Sequence, residues 1–129
     1  RKEVKGEEYL KTLCGAEILV HTEAFDEESV DLVKYSISAK IADLVSSGRK
    51  IFVYGPENIS SVKYFSKNAA AYVATSKAEL EKTLISAFKE SGETYIGNAR
   101  RLAIEYHDLK RNGEEIYGIL ENVCEGLPL

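Results

Sequence analysis

The sequence predicts an α/β fold with a short, mostly parallel sheet, and three observations predict it. Apolar runs too short for helices stand at Ile18-Leu19-Val20, Ile51-Phe52-Val53-Tyr54 and Ala71-Tyr72-Val73-Ala74. Stretches with helical spacing lie between them, which implies crossover connections and parallel pairing. The length, 129 residues, suits a single domain able to bury a core without disulfides or metals.

The elements follow in order. Tyr9, Leu10, Leu13 and Cys14 share one side of a short amphipathic helix over residues 7–14, and Gly15 ends it. The run Ile18 to Val20 is the first buried strand. Residues 23–31 are acidic and irregular, and are read as a surface loop with at most one helical turn. A longer helix runs from Ser36 or Ser38, either of which can cap it, to Ser47. Ile37, Ile41, Leu44 and Val45 mark its inner face, and Gly48 closes it. The strand at Ile51 is stopped at once by Gly55-Pro56. Ser60 or Ser61 can cap a short helix carrying Val62 and Phe65.

The third strand has polar flanks, which place it nearer a sheet edge. Ser76 with Glu79 fits a capping box, ahead of a helix face of Leu80, Leu84, Ile85 and Phe88. Ile96, Ala99, Leu102, Ala103 and Tyr106 are in register on a further helix. Asn112 with Glu115 resembles another box before Ile116, Ile119, Leu120 and Val123, and Leu127-Pro128-Leu129 is a tail. Residues 91–129 therefore form a helical extension packed on the single domain 1–129. Three strands are few for such a sheet: either strands from a preceding segment complete it, or the sheet is small. The chain opens without methionine and leads almost at once into a helix, which reads as a piece cut from something longer.

Composition removes several classes. Seventeen basic against 21 acidic residues give a net charge of −4, with no basic excess to favour nucleic acid. Arg100, Arg101, Lys110 and Arg111 sit among acidic neighbours and read as solvated helix faces. Two cysteines, Cys14 and Cys124, are too few for a disulfide scaffold and fall on apolar helix faces, so buried thiols are expected. No apolar run approaches the length of a membrane span, and no signal peptide opens the chain. A cytoplasmic location is the expectation.

In open parallel sheets, ligands bind beyond the C-terminal strand ends. Those ends carry His21-Thr22-Glu23, Tyr54-Gly55-Pro56-Glu57 and Thr75-Ser76. The helix N-terminus around Tyr35, Ser36, Ile37, Ser38 and Ala39 should open on the same edge and offer free N–H groups to a phosphate. Lys40 lies in the first turn, where the helix dipole does not favour a cation. It reads as the neighbour of a bound anion or as a solvent-facing lysine. Asp43 shares a face with Lys40 and reads as an acceptor for ribose hydroxyls or as half of a surface ion pair.

No Gly-x-Gly-x-x-Gly, Walker or Gly-x-Ser-x-Gly pattern is present, and two histidines, His21 and His107, make no metal cluster. His21 can serve as a base or as a hydrogen-bonded rim residue; His107 suits a helix C-terminus. Glu23, Asp26, Glu27 and Glu28 read as loop acids rather than a metal site.

Four segments carry a resemblance. Residues 16–26, AEILVHTEAFD, resemble the "ADILVHxExFD" segment of bacterial glycosyltransferases of the GT-B architecture, near their group 1 class. Residues 35–51 resemble the "YSxSxKIxxYLASGxPI" of the same enzymes. Tyr54-Gly55-Pro56-Glu57 matches the "AYGPE" that follows, and residues 98–103 resemble their "NARxLA". Together these pieces cover nearly the whole chain.

The resemblance implies a Rossmann-like domain forming the C-terminal, donor-binding half of a two-domain enzyme. The implied activity is transfer of a sugar from a nucleotide diphosphate sugar to an acceptor hydroxyl, in glycan or polysaccharide synthesis. It implies no bound metal and no cofactor apart from the donor substrate. The acceptor glycan, and any peripheral membrane contact, would fall to a preceding domain absent here.

The backbone from Tyr35 to Ala39 would face the diphosphate, Asp43 the ribose, His21, Thr22 and Glu23 the sugar, and Tyr54 and Gly55 the nucleotide. The family often has two acidic residues with seven between them. Asp43 fits the later position, whereas Tyr35 occupies the earlier one, with Glu23 as the alternative. No catalytic residue is assigned within this chain, and the fragment alone is expected to be inactive. Two other readings stand beside this one: a noncatalytic α/β module that binds a partner or ligand, and a Rossmann-like domain of another nucleotide-sugar enzyme such as a two-domain epimerase.

Overall fold

A computed structural model describes residues 6–125. The order is α1 (Gly6–Gly15), β1 (Ile18–Thr22), α2 (Glu27–Val33), α3 (Lys40–Ser46), β2 (Lys50–Tyr54), α4 (Ser60–Lys67), β3 (Tyr72–Ala74), α5 (Lys77–Lys89), α6 (Glu93–Tyr106) and α7 (Leu109–Glu125). The three strands form one parallel sheet in the order β1-β2-β3. With helices on both faces, this is a small open α/β sheet of Rossmann-like character. β3 is an edge strand, as its polar flanks suggested.

Strand alternation divides the core into two layers. Leu19, Ile51 and Val53 face one side, where Ile41, Val45, Ile59, Val62, Phe65, Ala99 and Leu102 close over them from α3, α4 and α6. Phe52, Tyr72 and Ala74 face the other side and meet Ala87, Leu80 and Leu84 of α5. The first layer holds most of the fully buried side chains. It is the layer on which the residues at the end of β1 are built.

Several elements differ from the sequence reading. Within and just beyond residues 23–31, expected as a loop with at most one helical turn, Glu27–Val33 form the two-turn helix α2. Asp26 caps it by accepting a hydrogen bond from the Ser29 N–H at 2.9 Å, and Val30 and Val33 pack inward one turn apart. The cap and the inward spacing were present in the sequence but were masked by the surrounding acids. α3 is shorter than expected and starts at Lys40, with Ala39 at its cap and Ile37 half exposed. Gly48 closes it at φ +69, a conformation that glycine adopts without strain.

Ile59 rather than a serine occupies the cap of α4. Ser76 caps α5 without a side-chain bond, while Glu79 turns back to the N–H and hydroxyl of Thr75 at 2.9 and 3.0 Å. α7 begins three residues ahead of Asn112. Asp108 holds the N–H groups of Lys110 and Arg111, and the Asn112 amide reaches the Tyr106 carbonyl.

Cys14 is exposed, not buried. Leu13 takes the inward position, and the next residue lies about 100° further round the helix. The side chain of Cys124 and the tail 127–129 fall outside what is described. α6 sits in the core through Ala99 and Leu102, whereas Ile85, Phe88 and Tyr106, expected on inner faces, are exposed. Every large apolar side chain of α7 from Leu109 to Val123 is more than half exposed. No helix among the described residues is long and apolar enough to cross a membrane.

Candidate functional site

The C-terminal end of β1 holds a partly buried, hydrogen-bonded polar cluster. Pairing of β1 with β2 runs to Thr22 opposite Tyr54. The Glu23 N–H then donates to the Tyr54 carbonyl at 2.9 Å, extending the ladder by one step. By alternation, His21 and Glu23 point to the same face of the sheet. There the Glu23 Oε1 accepts from His21 Nε2 at 2.9 Å and from the Ser61 hydroxyl at 2.6 Å. Ser61 is fully buried at the start of α4, and the His21 ring rests against Phe65 with centroids 6.2 Å apart. Glu23 Oε2 accepts no hydrogen bond from any described residue.

This cluster is not a nucleophilic triad. The hydroxyl donates to the carboxylate instead of to the imidazole, and burial keeps it from a substrate. The arrangement fixes a carboxylate and a histidine at a strand end, with one carboxylate oxygen left for a ligand.

Gly55 makes the arrangement possible. A Cβ there would lie 2.8 Å from Glu23 Cβ and 3.0 Å from Val62 Cγ2. The backbone after β2 thus passes directly beneath the glutamate, where only glycine leaves enough room.

A cleft of about 460 Å³ opens beside β1, lined by Val20, His21, Thr22, Glu23, Val33, Ser36, Ser38 and Lys40. It brings together six of the residues singled out from the sequence, from two segments 13 or more positions apart. Lys40 is exposed there and forms none of the ion pairs found among the described residues.

The other predicted residues stand apart from the cleft. Tyr35 is 86% exposed, beneath the Lys34 ammonium at 5.2 Å. Ile37 and Ala39 are exposed. Tyr54 is on the opposite face of the sheet, stacked on Phe25 with centroids 4.8 Å apart. The Asp43 Oδ2 accepts from the Tyr9 hydroxyl at 2.9 Å. That hydrogen bond, with burial and the carboxylate charge, pushes the Tyr9 phenol above its ordinary pKa.

The expected open helix N-terminus over 35–39 is also corrected. Those residues precede the helix, the Ser36 N–H is bonded to the Val33 carbonyl, and the Ile41 N–H to the Ser38 carbonyl. Lys40 N lies 3.4 Å from Ser38 Oγ. The N–H groups of Ser36, Lys40 and Ile41 are thus taken by nearby oxygens.

Ser61, Val20 and Val33 are the site residues that sequence reading missed. Ser61 resembled a helix cap, and nothing local marks it as the partner of a residue 38 positions away. Among the described residues there is no group of three or more His, Cys, Asp or Glu side chains placed to hold a metal ion. Comparison with protein-family models, with curated proteins and with solved structures finds no match to this chain.

Proposed function

We propose that this chain is the donor-binding part of a GT-B glycosyltransferase, which moves a sugar from a nucleotide diphosphate sugar to an acceptor hydroxyl. The observation that carries the reading is the cleft beside β1. His21, Thr22, Glu23, Ser36, Ser38 and Lys40 line it together, at the strand-end position where open parallel sheets bind ligands. Apart from Lys40, these are also residues that the sequence resemblance assigns to sugar and diphosphate.

The roles follow from the chemistry of each group. Lys40 supplies the positive charge that a diphosphate needs as the leaving group gains negative charge. The Ser38 hydroxyl, which accepts from the Lys40 N–H, can donate to a phosphate oxygen, whereas the Ser36 hydroxyl already donates to the Val33 carbonyl at 3.1 Å. Glu23, held by Ser61, turns its free oxygen to sugar hydroxyls, with His21 beside it. Asp43 would take the ribose, sharing a carboxylate whose other oxygen Tyr9 already holds.

The test is a titration of the chain with a panel of nucleoside diphosphates and nucleotide sugars, read by backbone amide NMR. Saturable shifts at residues 21–23 and 36–40, weakened by Lys40→Ala, are expected for one nucleotide. Saturable binding whose shifts avoid both segments, or an undiminished affinity in Lys40→Ala, would remove the reading.

A further inference from the structure

A larger cleft, of about 730 Å³, lies on the far side of the sheet from the β1 site. It follows the outer edge of β3. Val62, Lys63, Ser66 and Lys67 of α4 form one wall; Ala78, Glu79, Lys82 and Thr83 of α5 form the other; Val73 and Thr75 form the floor. The geometry comes from the topology. α4 packs on one face of the sheet and α5 on the other, so the last strand is left between them with one side unpaired by any described strand.

The polar groups of that floor can be assigned. The Ala74 carbonyl accepts from the Gly55 N–H at 3.2 Å, so Ala74 faces β2. Backbone groups alternate along a strand, and Val73 therefore directs its N–H and C=O away from β2, toward the groove. The Thr75 N–H is already held by Glu79 Oε2 at 2.9 Å, which closes the edge at its C-terminal end.

The walls carry charge of one sign in excess. Lys63, Lys67 and Lys82 are exposed and take part in none of the ion pairs found among the described residues. Against these three lysines stand the two carboxylates of Glu57 and Glu79, which leaves the groove one positive charge in excess, and Glu79 is turned back onto the N–H and hydroxyl of Thr75. The chain as a whole is acidic, with a net charge of −4. A basic groove over an unpaired strand on an acidic protein is a local reversal of charge.

We propose that this groove docks an acidic peptide segment in extended conformation, laid along β3 as an added strand. Lysines beside a sheet edge repel basic strands, and lose hydration when a neutral one covers them, and so guard against edge-to-edge pairing. The same lysines attract an acidic one. The main-chain groups of Val73 supply the pairing, and Lys63 and Lys67 on one wall with Lys82 on the other supply the selectivity. A second copy of this chain does not meet the requirement at its own β3 edge, because the two sets of lysines would face each other.

The experiment uses the 129-residue chain and labelled synthetic peptides of alternating Glu and Val, with a Lys and Val peptide as the control. Fluorescence anisotropy is expected to give saturable binding of the acidic peptide only, weakening as salt is raised. Amide NMR is expected to place shifts at Val73 and along β3. The triple variant K63E/K67E/K82E should lose affinity by at least about tenfold, and Glu57→Gln should gain, with circular dichroism confirming that both remain folded. No binding of the acidic peptide, or equal binding of the control, overturns the proposal. So does binding that leaves Val73 unshifted and is competed away by inorganic pyrophosphate, which would make the groove a small-anion site.

Discussion

Ser61 donates a 2.6 Å hydrogen bond to Glu23 Oε1, and the same oxygen accepts from His21 Nε2 at 2.9 Å. One fully buried hydroxyl thus sets the position of both polar side chains at the end of β1. Ser61→Ala removes the donor while leaving the carboxylate in place. Hydrogen bonds to charged groups contribute about 1.5–3 kcal/mol. A loss of that order is expected in urea unfolding, with a lowered midpoint and an unchanged slope. Ser61→Thr keeps the hydroxyl and should recover part of the hydrogen bond at the cost of an extra methyl in a closed site. If Ser61→Ala unfolded at the wild-type midpoint, the hydroxyl would have no structural role at the site.

Gly55 tests the same site through its packing. Its substitution by alanine brings Cβ within 3.0 Å of both Glu23 Cβ and Val62 Cγ2. Neither neighbour is the tip of a flexible side chain, so the backbone after β2 must shift. Overpacking of this kind costs about 1–3 kcal/mol. Equilibrium unfolding should show it, and the amide shifts of His21 and Glu23 should move although neither residue was changed. An alanine variant with wild-type stability and wild-type shifts at residues 21–23 would mean that the strand end is looser than these distances imply.

The strands were legible in the sequence because each is a compact apolar run bounded by glycine, proline or polar residues. Ile51 to Tyr54, ended by Gly55-Pro56, is the clearest case. The strand-end site was legible by position, since parallel sheets expose their C-terminal ends to ligands. The parts that were not legible depend on partners far apart in the chain. Asp43 looked free of protein partners, yet Tyr9 of α1 holds one of its oxygens from 34 positions away. Ser61 looked like a cap, yet it points to Glu23. α2 was hidden for a different reason: its first-turn acids are what a helix N-terminus favours, but in composition they resemble a solvated loop.

Glu79 gives a pH prediction. Its carboxylate accepts from the N–H and hydroxyl of Thr75, and these bonds hold its pKa below the ordinary value of 4.5. The unfolded chain then binds a proton more readily than the folded one. The contribution to stability is present above the unfolded value and declines as pH falls through the lower, folded value. Asp26, held down by the Ser29 N–H, acts in the same direction. Glu79→Gln should therefore flatten part of the acid-side fall in the urea midpoint. An acid limb identical in wild type and variant would remove Glu79 from the account.

Tyr72 gives the alkaline counterpart. Burial, with the charge of Glu90 and its hydrogen bond at 3.3 Å, pushes the phenol up to about 12. The folded value lies above the unfolded one. The stabilisation is complete below the ordinary phenol range and is lost as pH rises through the folded value. A phenolate absorbance titration should show Tyr72 ionising last, behind Tyr9 and Tyr64, whose phenols are also raised, and Tyr72→Phe should abolish that last step. Glu90→Gln should bring the step earlier without abolishing it, because burial remains the larger cause.

α6 and α7 should respond to mutation in opposite ways, although both have amphipathic sequences. Leu102 of α6 is fully buried in the main core layer, whereas Leu120 of α7 is 57% exposed. Leu102→Ala removes packed methyl groups and leaves a cavity, which costs about 2–5 kcal/mol. Leu120→Lys takes an apolar side chain from a surface it shares with Ile116, Ile119 and Val123, where substitutions change stability by about 0.5 kcal/mol or less. Paired urea melts of the two variants measure the contrast directly. A Leu120→Lys loss as large as that of Leu102→Ala would mean that α7 closes onto the core in solution. A small Leu120→Lys loss joined to a large one at Leu102 places the boundary of the cooperative core at the end of α6.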